Sequence, residues 1–311
     1  MPKKSIKVQA TATVANVSCG FDCIGYATSN PLDTVTITKN NKTEIEIVLY
    51  GEKSDSIPTD PEKNTAGKAV QSYLNTINHS KGCLIEIEKG IPPGSGIGSS
   101  AASAAAALVG INELMDKPLS TKELLMHGMA GEAVASGAFH ADNIAPALLG
   151  GIILVRSYEP LDILNLPVPK NLYSTTVLPD FSINTKEARR MLPKRVALKS
   201  AVAQAGNLAG FTLGLHNGDL DLLKRSMTDQ FAEPVRAKLI PGYNAIQKAA
   251  IESGAIGCGI SGSGPALFAL CDSENRSKDV AIAMVETFKK NGLNSTAYRS
   301  PIHCFPPAII N

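Results

Sequence analysis

The segment that most restricts what this chain can fold into is Ile91-Pro92-Pro93-Gly94-Ser95-Gly96-Ile97-Gly98-Ser99-Ser100-Ala101-Ala102. Two prolines and three alternating glycines cannot extend a strand or a helix, so the segment must be a turn between them. Upstream, Cys83–Glu88 alternates apolar and polar residues and reads as a strand; downstream, the alanines and leucines from Ala101 to Met115 favour helix. A strand-to-helix turn gathers free backbone N–H groups and the positive end of the helix dipole at one spot, and glycine lets an anion approach closely. Ser99 and Ser100 add hydroxyls for a phosphate or for a metal riding on it. The nucleotide loop that closes with Gly-Lys-Ser or Gly-Lys-Thr is absent. Glycines in a tight turn also have a purely steric use, so the loop alone leaves phosphate binding and plain packing both open.

A chain of 311 residues, 44% of them hydrophobic, can bury a large core, and its length suggests two domains. The net charge of +2 comes from 30 basic and 28 acidic residues with no long run of one sign, which argues against a nucleic-acid or anionic-membrane surface. No apolar stretch has the length of a membrane span, and Met1-Pro2-Lys3-Lys4-Ser5 leads into a polar, alternating segment without a signal-peptide core. These features predict a soluble, cytoplasmic protein. The six cysteines, at 19, 23, 83, 258, 271 and 304, form no Cys-x-x-Cys pair and read as reduced thiols in or near the core. The five histidines, at 79, 127, 140, 216 and 303, are too scattered for a zinc site.

The opening is β-rich, with alternating segments at Ile6–Ala12, Asp33–Thr38 and Glu44–Leu49. Thr65–Ile77 reads as helix, and Ser120 with Glu123 forms a capping box that opens another helix through about Ser136. Leu148–Arg156 reads as a buried strand. The Pro-rich stretch Pro160–Pro169 is the best candidate for a connection, dividing the chain into domains of residues 1–160 and 161–311. The second half is expected to hold strands at Leu172–Val177, Ala266–Cys271 and 294–299, with helices over about 195–215, 218–231, 243–253 and 277–290. Both halves mix helix and strand without regular βαβ alternation, an α+β class. Gly257-Cys258-Gly259-Ile260-Ser261-Gly262 matches a dinucleotide fingerprint, but a helix precedes it and a strand follows, the reverse of what that motif needs. No Gly-x-Ser-x-Gly elbow exists to anchor a hydrolase.

Three segments taken in order resemble the superfamily of small-molecule kinases named for galactokinase, homoserine kinase, mevalonate kinase and phosphomevalonate kinase. They are Ala12-Thr13-Val14-Ala15-Asn16-Val17-Ser18-Cys19-Gly20-Phe21-Asp22-Cys23-Ile24-Gly25, the loop from Pro92 to Ala102, and Ile260-Ser261-Gly262-Ser263-Gly264-Pro265. His140-Ala141-Asp142-Asn143, Thr185-Lys186-Glu187-Ala188-Arg189 and Arg236-Ala237-Lys238-Leu239-Ile240-Pro241-Gly242 resemble the homoserine kinase branch, and the likeness runs the whole length. Ser18-Cys19 stand where the family usually has Gly-Pro, and Ile97 replaces its usual Leu. The resemblance implies a two-domain α+β fold: an N-terminal ATP-binding domain with a left-handed βαβ crossover, and a ferredoxin-like C-terminal domain. The general handedness rule for crossovers would have excluded the first of these.

The resemblance also implies roles. ATP would lie on Pro92, Pro93, Gly94, Ser95, Gly96, Ile97, Gly98, Ser99 and Ser100, with Asn64 on the adenine side. Mg2+ would take Ser100 and Glu132 as protein ligands. An L-homoserine acceptor would lie among Asn16, Asp22, His140, Asn143, Thr185, Arg189 and Arg236, its carboxylate on the two arginines and its ammonium on Asp22, as those residue types suit. Asn16, Asn143 and Arg189 are the residues expected to act on the reacting groups. No Asp–Lys pair of the kind some relatives use as a base is evident, so the alcohol is expected to lose its proton late. Read as residues alone, Asn16 is a turn former, Asn64 a helix cap, Glu132 an exposed helical carboxylate, and the arginines surface charges. The expected activity is transfer of the ATP γ-phosphoryl group to L-homoserine in threonine biosynthesis, by a homodimer. A kinase of the same superfamily acting on a sugar or a mevalonate-like acid, or a kinase-fold binding module without catalysis, are the alternatives.

Overall fold

The computed structural model describes residues 4–116, 118–137, 139–303 and 305–310. Its first strand, β1 (Ser5–Ala15), buries every second residue from Ile6 to Val14, as the alternation predicts. β2 (Ile24–Lys39) is long enough to serve two neighbourhoods: Thr34–Lys39 pairs with β4 (Cys83–Glu88), while Ile24–Tyr26 pairs with a later strand of the same sheet. β3 (Glu46–Tyr50) lies parallel to β4, and a parallel pair requires a crossover, supplied by α1 (Thr65–Thr76). After β4 the glycine turn feeds α2 (Ser99–Leu114), then α3 (Thr121–Ser136) and α4 (Ile144–Leu149). The Ser120–Glu123 capping box is formed. α2 is buried on nearly all sides, because its alanines let it lie close to β1 and β2 on one side and to α1 and α3 on the other.

The apolar run at 148–156, expected to be one strand, is divided. Ile144–Leu149 is a buried helix, Gly150 and Gly151 both turn with positive φ, and β5 (Ile152–Tyr158) follows. Periodicity cannot separate a short buried helix from a buried strand. Nor is Pro160 a point of division: Glu159-Pro160 is the turn of a hairpin joining β5 to β6 (Leu161–Leu166), both in the first sheet. The chain crosses to the second sheet only over 167–172, and at the far end β11 (Ala308–Ile310) returns to pair with β1. The first sheet therefore runs β11-β1-β2-β4-β3, with β5 and β6 beside the first half of β2.

The second sheet opens with β7 (Tyr173–Pro179). There follow α5 (Thr185–Arg190), α6 (Leu198–Asn217), α7 (Leu220–Ser226), α8 (Glu233–Arg236) and α9 (Tyr243–Glu252), then β8 (Gly257–Ile260), β9 (Leu267–Cys271), α10 (Glu274–Lys290) and β10 (Ser295–Pro301). Its order, β10-β7-β9-β8, is the fourth, first, third and second strand of the unit, the ferredoxin-like arrangement expected. The expected helix at 218–231 stops at Ser226, where the Asp229 carboxylate gathers the backbone N–H groups of Phe231, Ala232 and Glu233 instead. Gly257 and Gly259, read as part of a loop, form β8; a Cβ on Gly257 would lie 2.4 Å from the Met227 sulfur, so close packing rather than a ligand explains it. A shared core of Val14, Tyr26, Phe211 and Phe268, and the Tyr26 Oη–Ser174 Oγ hydrogen bond at 2.7 Å, tie the two sheets together. Among the described residues the five cysteines are free, and no helix is long and apolar enough to cross a membrane.

Candidate active site

Backbone conformation explains the glycine pattern of the turn. Gly94, Gly96 and Gly98 all have positive φ, and a Cβ on Gly96 would lie 2.6 Å from the Gly264 carbonyl and 2.7 Å from that of Ser261. The second glycine loop, 261–264, docks there: Ser261 Oγ donates to the Gly96 carbonyl at 2.7 Å, Ala266 N–H to that of Ser95, and Gly262 N–H to that of Ala15. The turn is thus built jointly by both sheets. Ser95 Oγ is buried without a hydrogen-bond partner, an orphan donor in a loop suited to phosphate oxygens. Three expectations change here. Ser99 lines the cleft, but its Oγ donates to the Ile91 carbonyl at 2.8 Å and so spans the turn. Ile97 is 1% exposed and serves through its carbonyl, which accepts from Thr13 N–H at 3.1 Å. Pro92, like Ile97, does not line the cleft.

Opposite this loop stands Asn16–Asp22. Asn16, Val17 and Ser18 take consecutive positive φ values of 70°, 41° and 58°, and Asp22 has 55°. Such backbone is costly for side chains other than glycine, above all for a β-branched valine, and persists only when over-determined by its surroundings. The surroundings do so: Asn16 Nδ2 donates to the Gly262 carbonyl at 2.9 Å, Asp22 N–H to Asn16 Oδ1 at 3.0 Å, and Gln204 Nε2 to the Cys19 carbonyl at 2.8 Å. Ser18 therefore adopts a backbone conformation that favours glycine.

Around this loop the charged groups converge. Arg189 binds Asp22 through two parallel hydrogen bonds, and Arg236 donates to the Gly262 carbonyl at 2.8 Å while its Nε is buried and unpartnered. The guanidinium carbons of Arg189 and Arg236 lie 5.7 and 5.6 Å from the centre of the Phe21 ring, within cation–π range. His140 Nδ1 is 3.8 Å from Asp22 Oδ1, and neither ring nitrogen has a hydrogen-bond partner. Burial lowers the His140 pKa, with Asp22 opposing and the two arginines assisting, so the ring is neutral near pH 7. Asn143 Oδ1 accepts from Thr13 Oγ1 at 2.7 Å, and Thr185 Oγ1 lies 3.4 Å from Ser263 Oγ.

Between the two loops lies Glu132, on α3, buried rather than exposed as its residue type alone suggests. Burial raises it to about 7, against a hydrogen bond from Ser100 and the field of Lys89. A buried carboxylate beside a hydroxyl and an anion loop supplies the all-oxygen ligands that a small, hard divalent cation takes. The adenine-side residue Asn64 lines the cleft, but its side chain is already used: Oδ1 caps α1 by accepting from Ala66 and Gly67 N–H at 3.0 and 3.1 Å, and Nδ2 donates to the Pro58 carbonyl. The wall around it, Leu49, Ile57, Ala66 and Ile87, is apolar and suits an adenine ring.

Apart from Phe21, Pro92 and Ile97, the candidate side chains open onto one cleft of about 700 Å3. Three contributors were missed in the sequence. Asp142, raised to about 7 by burial and then by Asp22 and Glu132, stands inside the His140–Asn143 segment and could have been found there. Phe21 lies inside the Gly-Phe-Asp motif, whereas Lys89, one residue past β4, gave no signal.

Comparison with known proteins bears on the family and the fold. Residues 64–151 match the N-terminal domain of the GHMP kinases, and residues 211–290 match their C-terminal domain. The chain is 42% identical to the homoserine kinase of Chlorobium phaeobacteroides, covering 96% of this chain and 97% of that one. The chain belongs to the homoserine kinase family of the GHMP superfamily. It is also 45% identical to the homoserine kinase of Methanococcus vannielii over 88% of its length and 89% of the relative's. The crystal structure of homoserine kinase from Cytophaga hutchinsonii superimposes with a TM-score of 0.96 at 46% identity, covering 100% of this chain and 98% of that one. The two-domain GHMP kinase fold of this family is thus present throughout the chain.

Proposed function

We propose that this cleft transfers the γ-phosphoryl group of ATP to the hydroxyl of L-homoserine, giving O-phospho-L-homoserine and ADP. The observation that carries the reading is that an anion loop with an orphan hydroxyl, Ser95, faces a set of paired opposite charges, Asp22, Arg189 and Arg236, across a single cleft. An amino-acid acceptor presents one charge of each sign, and that set complements both.

The residues then divide the work that phosphoryl transfer needs, which is chiefly positioning and neutralisation of charge. The N–H groups at the start of α2 and the Ser95 hydroxyl hold the triphosphate. Arg236, whose Nε has no protein partner, takes the acceptor carboxylate with Arg189, and Asp22 takes its ammonium once Arg189 turns to the substrate. Asn16 fixes the Asp22 loop, and the Asn143 amide nitrogen, left available by the bond from Thr13 to Oδ1, orients the hydroxyl with His140 and Thr185. Ser100 and Glu132 would hold Mg2+, which neutralises phosphate charge when bound. The exposed apolar side chains Leu198, Val202 and Leu213 along α6 support self-association as a homodimer.

The test is ADP release by purified protein with Mg·ATP and, in separate wells, L-homoserine, L-threonine, mevalonate, galactose or no acceptor. Turnover with homoserine alone is expected. Preference for another acceptor would overturn the roles given to Asp22, Arg189 and Arg236.

A further inference from the structure

Directly beneath the phosphate turn lies an ion pair that the reaction as described does not use. The side chains of Asp33 and Lys89 are 0% and 2% exposed and in direct contact. Asp33 is in the middle of β2, and Lys89 immediately follows β4. Their hydrogen bonds go almost wholly to the turn. Asp33 Oδ1 accepts from Gly90 N–H at 3.1 Å and Ile91 N–H at 3.0 Å, where the turn begins. Lys89 Nζ donates to the Ser99 carbonyl at 3.0 Å, where it ends and α2 starts, and to Ser103 Oγ at 3.0 Å on the next turn of that helix. Ser103 Oγ closes the circuit by donating to Asp33 Oδ2 at 2.6 Å. One pair of charges therefore pins both ends of the segment whose backbone N–H groups face the phosphates, and the Lys89 ammonium also borders the cleft within electrostatic reach of Glu132.

We infer that Asp33 and Lys89 are positioning residues for ATP: they set the spacing between Ile91 and the first turn of α2, and with it the aim of the phosphate-binding N–H groups. This rests on the kinase reading of the cleft. A buried ion pair contributes little net stability compared with apolar residues of similar size, so fold stability alone does not account for two charges here. Preorganised donors, in contrast, lose their effect when displaced by about an ångström, and supporting residues that aim them matter accordingly.

The experiment compares wild type with the double variant Asp33→Leu/Lys89→Met, which removes both charges and leaves neither buried alone. KM is measured separately for Mg·ATP and L-homoserine, alongside thermal melting and amide hydrogen exchange of residues 90–98. The expected result is a KM for Mg·ATP raised by about 10- to 100-fold, a homoserine KM within about twofold, and lost protection at residues 90 and 91. A folded double variant with an unchanged KM for Mg·ATP would make the pair merely structural and overturn the role.

Two further measurements keep the role testable if that variant does not fold. Ser103→Ala removes only one link of the circuit and is expected to raise the KM for Mg·ATP in the same direction by a smaller factor; no change in the folded protein overturns the role. In wild type without nucleotide, amides 90 and 91 are expected to exchange as slowly as those of the core, and exchange at the rate of exposed loops overturns it. Wild type that lacks ATP-dependent turnover of homoserine overturns the kinase reading itself, and this role with it, whereas normal turnover with unaltered ATP dependence in the variants overturns this role alone.

Discussion

Arg189 holds Asp22 by two parallel bonds, Nη1 to Oδ1 at 3.0 Å and Nη2 to Oδ2 at 2.7 Å, so the two groups assigned to opposite ends of the acceptor neutralise each other before it arrives. A zwitterion can replace this pair with two new pairs, each charge finding a partner. A ligand with only one charge cannot, because it would leave Asp22 or Arg189 unpaired in a partly buried site. On the proposed roles, the bridge selects for acceptors that carry both charges.

Arg189→Met is accordingly expected to raise the KM for L-homoserine by about 10- to 100-fold, the equivalent of a charge-assisted hydrogen-bond pair at about 1.5–3 kcal/mol. The KM for Mg·ATP should stay nearly constant. Steady-state kinetics with each substrate varied in turn provides the check, and equal effects on both constants would show that Arg189 acts on the whole cleft.

Glu132→Gln keeps shape and removes charge. It is expected to increase the Mg2+ concentration needed for half-maximal turnover and to lower kcat by on the order of 100-fold, the scale seen when one preorganised electrostatic contact is lost. Magnesium titration at fixed ATP reads this directly.

Gly96→Ala tests the joint between the two glycine loops. The added methyl group would meet the Gly264 and Ser261 carbonyls at 2.6 and 2.7 Å, at a φ of 82°. Destabilisation of about 1–3 kcal/mol is expected from the strain, with loss of activity as the loops part. Melting temperature and turnover should fall together.

Away from the cleft, burial raises Glu233 to about 7, against hydrogen bonds from Tyr243, Gln247 and the Ile260 N–H. Its unfolded value is near 4.5. Between these two values the native protein holds a proton that the unfolded chain has released, so stability contributed by this group declines as pH rises through about 7. Glu233→Gln should raise the melting temperature at pH 8 and change it little at pH 4.5; the opposite ordering would refute the assignment.

The sequence by itself determined a good deal. The glycine turn between β4 and α2, the Ser120–Glu123 cap, the alternation of β1, and the motifs at 12–25, 92–102 and 260–265 are local patterns, and local propensity and turn chemistry state them without reference to the rest of the chain. Resemblance to the kinase superfamily, rather than residue type, brought Asp22, Glu132, His140, Arg189 and Arg236 into one candidate site. What tertiary structure alone decided is which atoms remain available. Ser99 and Asn64 both sit at the cleft, yet the Ile91 carbonyl accepts the serine's hydroxyl hydrogen bond and the N–H groups at the start of α1 occupy the asparagine's oxygen. Lys89 carried no sequence signal because its partner, Asp33, lies 56 residues earlier and meets it only when β2 and β4 pair. Gly150-Gly151 likewise divided an apolar run that periodicity left continuous, and the stretch from Pro160 that reads as a connection holds strand β6. Burial and hydrogen-bond competition depend on groups distant in sequence, and folding is what brings them within reach.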